Sequence, residues 1–143
     1  MNKQSNTMNY YSICYVSNVA NGLSQQEVDA VLNLTEQKNN QENVTGILLH
    51  NLGHFFQVLE GEEELIKKLF HTKISVDPRH SEITTIFDKH IVEPLFSGYD
   101  SKFNILKTPE DLQRIKAYLI KKTGKTSDKV LRVLKPFLLY EVH

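Results

Sequence analysis

A glutamine interrupts an apolar segment in the first half of the chain. Gln57 lies in the run HFFQVLEG, where Phe55, Phe56, Val58 and Leu59 predict a buried strand. An amide buried without hydrogen-bond partners costs about 1–3 kcal/mol, so Gln57 must have a defined partner. Because an amide both donates and accepts, that partner is either a neighbouring side chain or a polar ligand.

Five other polar side chains are predicted to face the same layer as Gln57, in a gap between two helices and a sheet. They are Tyr15, Asn39, Asn40, Lys73 and Asp77. Amides bind the polar edge of a flat ring, and a lysine suits a phosphate. The set therefore predicts a pocket for a flat, amide-rich ligand with a phosphate tail. Each residue also has an ordinary structural interpretation as a satisfied core amide, a packed tyrosine, a helix C-cap or a surface ion pair.

The segments that carry these residues show strand and helix patterns. Aromatic and apolar residues predict a strand over residues 9–18. LSQQEVDAVLNLTEQKNN predicts a helix, which a capping box of Ser24 and Glu27 opens. VTGILLHNLGHFFQVLE predicts a hairpin, and EEELIKKLFHTKISVD predicts a second helix with an acidic first turn that suits the helix dipole.

The remaining segments complete an α+β fold. EITTIFDKHIVE and FSGYDSKFNIL predict two more strands. TPEDLQRIKAYLIKK predicts a helix with Thr108 as its cap and Pro109 at its first position, and SDKVLRVLKPFLLYEV predicts a helix kinked or interrupted at Pro136. The order matches a ferredoxin-like βαββαββ sheet with two helices on one face. The other face is left for the two C-terminal helices or for a partner subunit.

The distribution of charge predicts how the chain associates. The 143 residues indicate one domain, and 17 basic and 17 acidic residues balance, so global charge favours neither nucleic acid nor a membrane. Residues 1–101 carry 7 basic and 13 acidic groups, whereas residues 102–143 carry 10 and 4. The basic segment is expected to dock on the acidic body, within one chain or between subunits of a homo-oligomer. It has no aromatic-basic motif, so contact with nucleic acid is not expected.

Other composition features exclude several classes of site. Cys14 is the single cysteine, so an internal disulfide and a cysteine metal cluster are excluded. His50 and His54 flank a turn, but two ligands are too few to predict a metal site. The start MNKQSNTMN lacks an apolar signal region, and no run approaches the roughly 18 apolar residues of a membrane span. A cytoplasmic location is therefore expected.

Four segments carry a resemblance to a known family. YSICYVS, EQKNNQENVTGILLH, GHFFQVLEG and TKISVDPRH, in this order and spacing, resemble the BLUF family, the sensors of blue light using FAD. The resemblance covers about residues 9–103. It implies a flavin-binding domain over residues 9–104 and a C-terminal helical extension over residues 105–143. It also implies a non-enzymatic sensor whose output is a change of contacts between subunits or with a downstream signalling protein.

The resemblance also implies roles for single residues. Tyr15 matches the family's photoactive tyrosine, and Gln57 matches its signalling glutamine. The positions that match flavin-binding residues are Asn39 and Asn40 at the polar ring edge, Lys73 and Asp77 at the ribityl-phosphate side, and Ile74 and Leu32 beside the ring. The implied cofactor is FAD, with FMN or riboflavin as alternatives. In the family, light drives transfer of an electron and a proton from the tyrosine; after their return, the glutamine has a new orientation or tautomer and the absorption is red-shifted.

The chain departs from the family pattern at two places. The fifth strand of the family often carries Trp-Ser-Met, where this chain has Tyr99 and Ser101 at the outer positions, and Lys73 stands where the family often has arginine. These changes leave the output route through that strand open and make Tyr99 a candidate second electron donor. Two other functions stay open from the residues alone: a non-photoactive ligand-binding regulatory domain, and an enzyme such as a small phosphatase. The sequence has no glycine-rich phosphate loop, which disfavours the enzyme.

Overall fold

A computed structural model describes the backbone of residues 9–100 and 102–141 and the side chains of these residues up to 137. The strands are β1 (Tyr10–Val19), β2 (Thr45–Asn51), β3 (His54–Glu62), β4 (His80–Ile91) and β5 (Phe103–Leu106). The helices are α1 (Gln25–Gln41), α2 (Glu63–Leu69), α3 (Ser97–Asp100), α4 (Pro109–Lys122) and α5 (Lys125–Glu141). A π-helical turn, Phe70–Ile74, continues α2.

The five strands form one mixed sheet in the order β4-β1-β3-β2-β5. Strand β3 is central and pairs antiparallel with both β1 and β2, whereas β2 pairs parallel with β5. In this register Tyr15 of β1 lies directly opposite Gln57 of β3. Where β2 pairs with β3, Gly46 has φ +139°, and a Cβ there would lie 1.9 Å from the Val58 carbonyl oxygen, so only glycine fits. The predicted α+β, ferredoxin-like arrangement is confirmed.

Alternate residues of β3 serve two separate hydrophobic layers. Phe55 and Leu59 pack in one layer with Val28 of α1 and Ile66 of α2. On the opposite face lies the second layer, in which Phe56 and Val58 pack with apolar residues of the C-terminal helices, namely Leu112, Ile115, Leu119, Val130, Leu134 and Phe137. The two crossover helices therefore cover one face, as predicted, and α4 with α5 covers the other.

The helix starts follow the sequence closely. Ser24 and Glu27 form a reciprocal capping box at α1, with bonds of 3.1 and 2.9 Å. Thr108 caps α4 with Pro109 at its first position. In the part of the chain that the structure describes, no helix is both long enough and apolar enough to cross a bilayer.

Two predicted elements differ from the structure. The strand expected over FSGYDSKFNIL is a short helix, α3, followed by the four-residue β5, because the amides that precede α3 bond to the Glu60 carboxylate rather than to a strand. Helix α5 begins at Lys125 and continues through Pro136, so of the kink or interruption expected there the interruption does not occur. Pro136 removes only one helical donor, and the packing of Leu134 and Phe137 in the second layer holds the helix on both sides of it.

Candidate ligand-binding cleft

A cleft opens between α1, the π-helical turn, the start of β4 and the first face of the sheet. The predicted residues that line it are Tyr15, Asn39, Gln57, Lys73, Ile74 and Asp77. Leu32 and Asn40 do not line it. Leu32 packs in the hydrophobic layer beneath α1, and Val31 and Thr35 take its expected place on the cleft side of the helix.

Tyr15 and Gln57 form a hydrogen-bonded pair in the floor of the cleft. Each side chain is only 3% exposed, and Gln57 Nε2 donates to the Tyr15 hydroxyl. Burial raises the pKa of Tyr15 well above its ordinary value, although the bond from Gln57 opposes this shift. The phenol therefore keeps its proton at neutral pH. The other end of the amide, Gln57 Oε1, is buried and has no hydrogen-bond partner.

The adjacent asparagines at the end of α1 have different environments. Asn39 is 3% exposed and lines the cleft, and its Nδ2 is buried without a hydrogen-bond partner. Asn40 is exposed, and its Oδ1 accepts a 2.8 Å bond from the Phe103 amide of β5. Successive helix residues point about 100° apart, so only one of the two can face the cleft. The structure therefore brings Asn39 to Gln57 and places Asn40 at a strand edge.

An acidic and a basic residue meet at the mouth of the cleft. Arg79 binds Asp77 in a fork, with distances of 2.9 Å from Nε to Oδ1 and 2.6 Å from Nη2 to Oδ2. This pairing holds the pKa of Asp77 below its usual range. The sequence suggested Lys73 as the neighbour of Asp77 and did not weigh Arg79 or Lys38, which also line the cleft. The DPRH motif contained the signal for Arg79, but only the loop conformation makes it the ion-pair partner.

His80 closes one end of the cleft. Its Nε2 lies 2.7 Å from the Ile74 carbonyl oxygen, and its Nδ1 lies 2.7 Å from Ser17 Oγ. A carbonyl can only accept, so Nε2 donates to it, and Nδ1 shares a hydrogen bond with the Ser17 hydroxyl. Both nitrogens are therefore engaged in tying β1 and the π-helical turn to β4. The rings of His80 and Phe70 lie 5.9 and 5.6 Å from the Tyr15 ring.

Tyr99 lies on the other side of the sheet. It packs against the layer formed with the C-terminal helices, and its ring lies 5.1 Å from that of Tyr118. The sheet therefore separates it from the cleft, which argues against its expected role as a second electron donor. Ser101 lies outside the described residues. Among residues 9–100 and 102–141, no three His, Cys, Asp or Glu side chains come together in a way that could hold a metal ion.

Fold and cleft together define a ferredoxin-like domain with a cleft above a buried tyrosine–glutamine pair. The family model described as BLUF, sensors of blue-light using FAD, matches residues 10–102. The chain belongs to the BLUF family.

Two curated relatives and one solved structural relative illustrate the similarity. The chain is 29% identical over 132 residues to the blue light- and temperature-regulated antirepressor BluF of Escherichia coli (strain K12), which covers 90% of this chain and 32% of that protein. It is 29% identical over 101 residues to the photoactivated adenylate cyclase subunit beta of Euglena gracilis, covering 71% of this chain and 11% of that protein. Thus the chain spans a third or less of the length of these curated relatives.

Solved structures of the third relative, BlrP1, share the architecture. The BlrP1 BLUF structure superimposes with a TM-score of 0.70 at 28% identity, covering 92% of this chain and 91% of that one. Klebsiella pneumoniae BlrP1 with FMN and cyclic diGMP gives a TM-score of 0.68 at 28% identity, covering 91% of this chain and 34% of that one. A structural relative has therefore been solved with FMN.

Proposed function

We propose that this protein is a blue-light photoreceptor that binds FAD in the cleft and signals through the Tyr15–Gln57 pair. The observation that carries the proposal is a pair of buried, unpartnered atoms in one cleft: the Asn39 Nδ2 donor and the Gln57 Oε1 acceptor. Buried polar atoms normally have partners, so two orphans in one cleft indicate a polar ligand. A flavin ring edge alternates carbonyl acceptors with an N–H donor, which suits this set.

The chain's own residues would position the cofactor. Asn39 would donate to a ring carbonyl, and Lys73, Lys38 and Arg79 would supply positive charge for a phosphate at the cleft mouth. The bound flavin would absorb blue light and accept an electron. FAD is the cofactor that we propose, with FMN and riboflavin as alternatives, and mass spectrometry of the released cofactor distinguishes the three.

The Tyr15–Gln57 pair can adopt two arrangements of hydrogen bonds. In the arrangement seen, the amide donates to the Tyr15 hydroxyl and turns its oxygen toward the cleft. If the amide rotates by half a turn, the hydroxyl donates to the oxygen, and Nε2 turns toward the cleft as a donor. The pair thus keeps its own bond while the group offered to the ligand changes from acceptor to donor. A new donor at a flavin carbonyl would lower the excitation energy and shift the absorption to the red.

An absorption spectrum in darkness and under blue light tests this function. A flavin spectrum that shifts to the red and relaxes in darkness is expected. A flavin spectrum that does not change would favour the second candidate, a non-photoactive ligand-binding regulatory domain. A protein that stays colourless after addition of FAD would contradict flavin binding.

The asparagine pair gives a matched test of the cleft. Replacing Asn39 by Ala removes the orphan donor and is expected to weaken flavin binding about tenfold, which corresponds to about 1.4 kcal/mol. Asn40→Ala removes a bond to β5 instead and is expected to lower thermal stability while leaving the affinity unchanged. Titration of both apoproteins with FAD, followed by flavin fluorescence, measures the difference. Equal affinities for the two variants would remove Asn39 from the site.

We propose that the chain has no catalytic activity and signals by contact. In our division, residues 9–104 sense light and residues 105–143 form the helical output element, and a cytoplasmic location stays a prediction. The exposed cations of the helical element include these five residues: Lys121, Lys125, Lys129, Arg132 and Lys135. Among the described residues none of the five forms an ion pair with the acidic body. This face is therefore available to another subunit or to a downstream signalling protein.

Self-association through this face should depend on salt. Sedimentation velocity at low salt is expected to show an oligomer, which dissociates at high salt because exposed charges are screened. Lys129→Glu with Arg132→Glu is expected to sediment as a monomer under both conditions. Lys68→Glu places one reversed charge on the acidic body and serves as the control, with the oligomer retained. Salt-independent behaviour of the unchanged protein would contradict this mode of association.

A further inference from the structure

Glu60 is a buried carboxylate on the strand that carries Gln57. It lies three residues after Gln57 in β3, so its side chain projects to the opposite face, toward the C-terminal helices. It is only 1% exposed. Burial raises the pKa of Glu60, against the opposing effect of its hydrogen bonds and of Lys122. A charge in such a place must be held by specific donors.

Glu60 binds the segment between β4 and α3. Its carboxylate accepts bonds of 2.5 Å from the Leu95 amide and 2.9 Å from the Phe96 amide. A third bond of 2.9 Å comes from Thr45 Oγ1 on the neighbouring strand β2. Two of these bonds come from consecutive backbone amides, so the Leu95–Phe96 segment is fixed to the central strand.

The same segment is bonded to helix α4. Tyr118 Oη of α4 donates a 2.6 Å bond to the Leu95 carbonyl oxygen. Phe96 is fully buried, and its ring lies 6.4 Å from the Tyr118 ring. Leu95 thus holds Glu60 through its amide and Tyr118 through its carbonyl. These directed bonds form a continuous connection from β3 to the C-terminal helices.

We propose that Glu60 is a positioning residue that transmits a rearrangement of Gln57 to α4 through Leu95 and Tyr118. This inference rests on the photoreceptor function proposed above. Gln57 and Tyr15 lie opposite each other in the register of β3 and β1, so a change in their hydrogen bond acts where the two strands pair. Because Glu60 accepts hydrogen bonds from the Leu95 and Phe96 amides, the segment and Tyr118 move with β3. The connection bypasses β5, where the sequence left the output route open.

Hydrogen exchange of α4 in darkness and under light tests the connection. The unchanged protein is expected to show a light-dependent difference over residues 109–122. Glu60→Gln and Tyr118→Phe are expected to lose this difference while their absorption shift and its dark recovery stay normal. Tyr118→Phe removes one hydroxyl and keeps the ring, so it folds even if Glu60→Gln does not. Thr45→Val removes a hydrogen bond to Glu60 that does not involve the Leu95–Phe96 segment. This variant should therefore keep the light-dependent difference in hydrogen exchange of α4.

The possible results separate this inference from the proposed function. A light-dependent difference in α4 that persists in Tyr118→Phe would overturn the connection, as would a normal absorption shift in the unchanged protein without any change in α4. A merely structural role for Glu60 would lower stability in the dark and leave the light-dependent difference in place. If the unchanged protein binds flavin without an absorption shift, the photoreceptor function fails first, and the inference falls with it.

Discussion

Replacing Gln57 by leucine is expected to leave the protein yellow and to abolish its normal light-induced red shift. Leucine fills a similar volume between the same neighbours but can neither donate nor accept. The Tyr15 hydroxyl loses its partner, which lowers the free energy of unfolding by about 1–3 kcal/mol. The free energy of unfolding of native proteins is about 5–15 kcal/mol, so the variant should still fold. Absorption difference spectra after blue illumination measure the effect.

A control in the same cleft strengthens the Gln57 experiment. Thr35 lines the cleft but takes no part in the Tyr15–Gln57 bond. Thr35→Val should therefore bind flavin and shift normally, which separates a general disturbance of the cleft from loss of the switch. A normal shift in Gln57→Leu would show that another group forms the new bond, and Gln57 would become an ordinary buried amide.

Replacing Tyr15 by phenylalanine is expected to stop the photocycle at its first step. The ring still packs beside Phe70 and His80, so the shape of the cleft is kept. The variant loses the one hydroxyl that faces Gln57, and with it both the donated proton and the easily oxidised phenol. Since electron transfer from a neighbouring ring quenches flavin fluorescence, the fluorescence lifetime of the variant should lengthen while the red shift is lost.

Tyr99 provides the comparison for Tyr15. It lies on the opposite face of the sheet, against Tyr118. Tyr99→Phe should therefore show the lifetime and red shift of the unchanged protein. A normal red shift in Tyr15→Phe that disappears when Tyr99→Phe is added would mean that the electron crosses the sheet from Tyr99.

Periodicity predicted most of the sheet, the helical layer on one face, and that Tyr15 and Gln57 both face that layer. These features depend on strand alternation and on the spacing of apolar residues, which are local properties. Periodicity left the other face open to the C-terminal helices or a partner subunit, and only the family resemblance implied that Tyr15 and Gln57 act as a pair. The strand expected before β5 was wrong because Leu95 and Phe96 bond to Glu60, which lies 35 and 36 residues earlier in the chain. No local pattern reports a bond of that range.

The cleft was predictable at some residues and not at others. Both Asn39 and Asn40 matched the motif. Their environments differ because the side-chain oxygen of Asn40 accepts a hydrogen bond from the Phe103 amide of β5. Asp77 was expected to act with Lys73, yet the turn before β4 brings Arg79 to it. Leu32 was placed beside the ligand, although α1 turns it inward to the core. The first two differences are set by the geometry of a helix end and of a loop, and the third by the rotation of α1 about its own axis relative to the sheet.

The central position of β3 means that a single sheet separates the cleft from the C-terminal helices. Gln57 lies on the face of the cleft, where a flavin would absorb light. Glu60 lies on the face covered by α4 and α5, through which we propose that the signal leaves the domain. Substitutions on the cleft side are therefore expected to change the absorption spectrum and the dark-recovery time without changing the partner protein. Substitutions on the helical side are expected to change the partner without changing the spectrum. This division would allow the same cleft to be combined with different downstream partners if the helices α4 and α5 were exchanged.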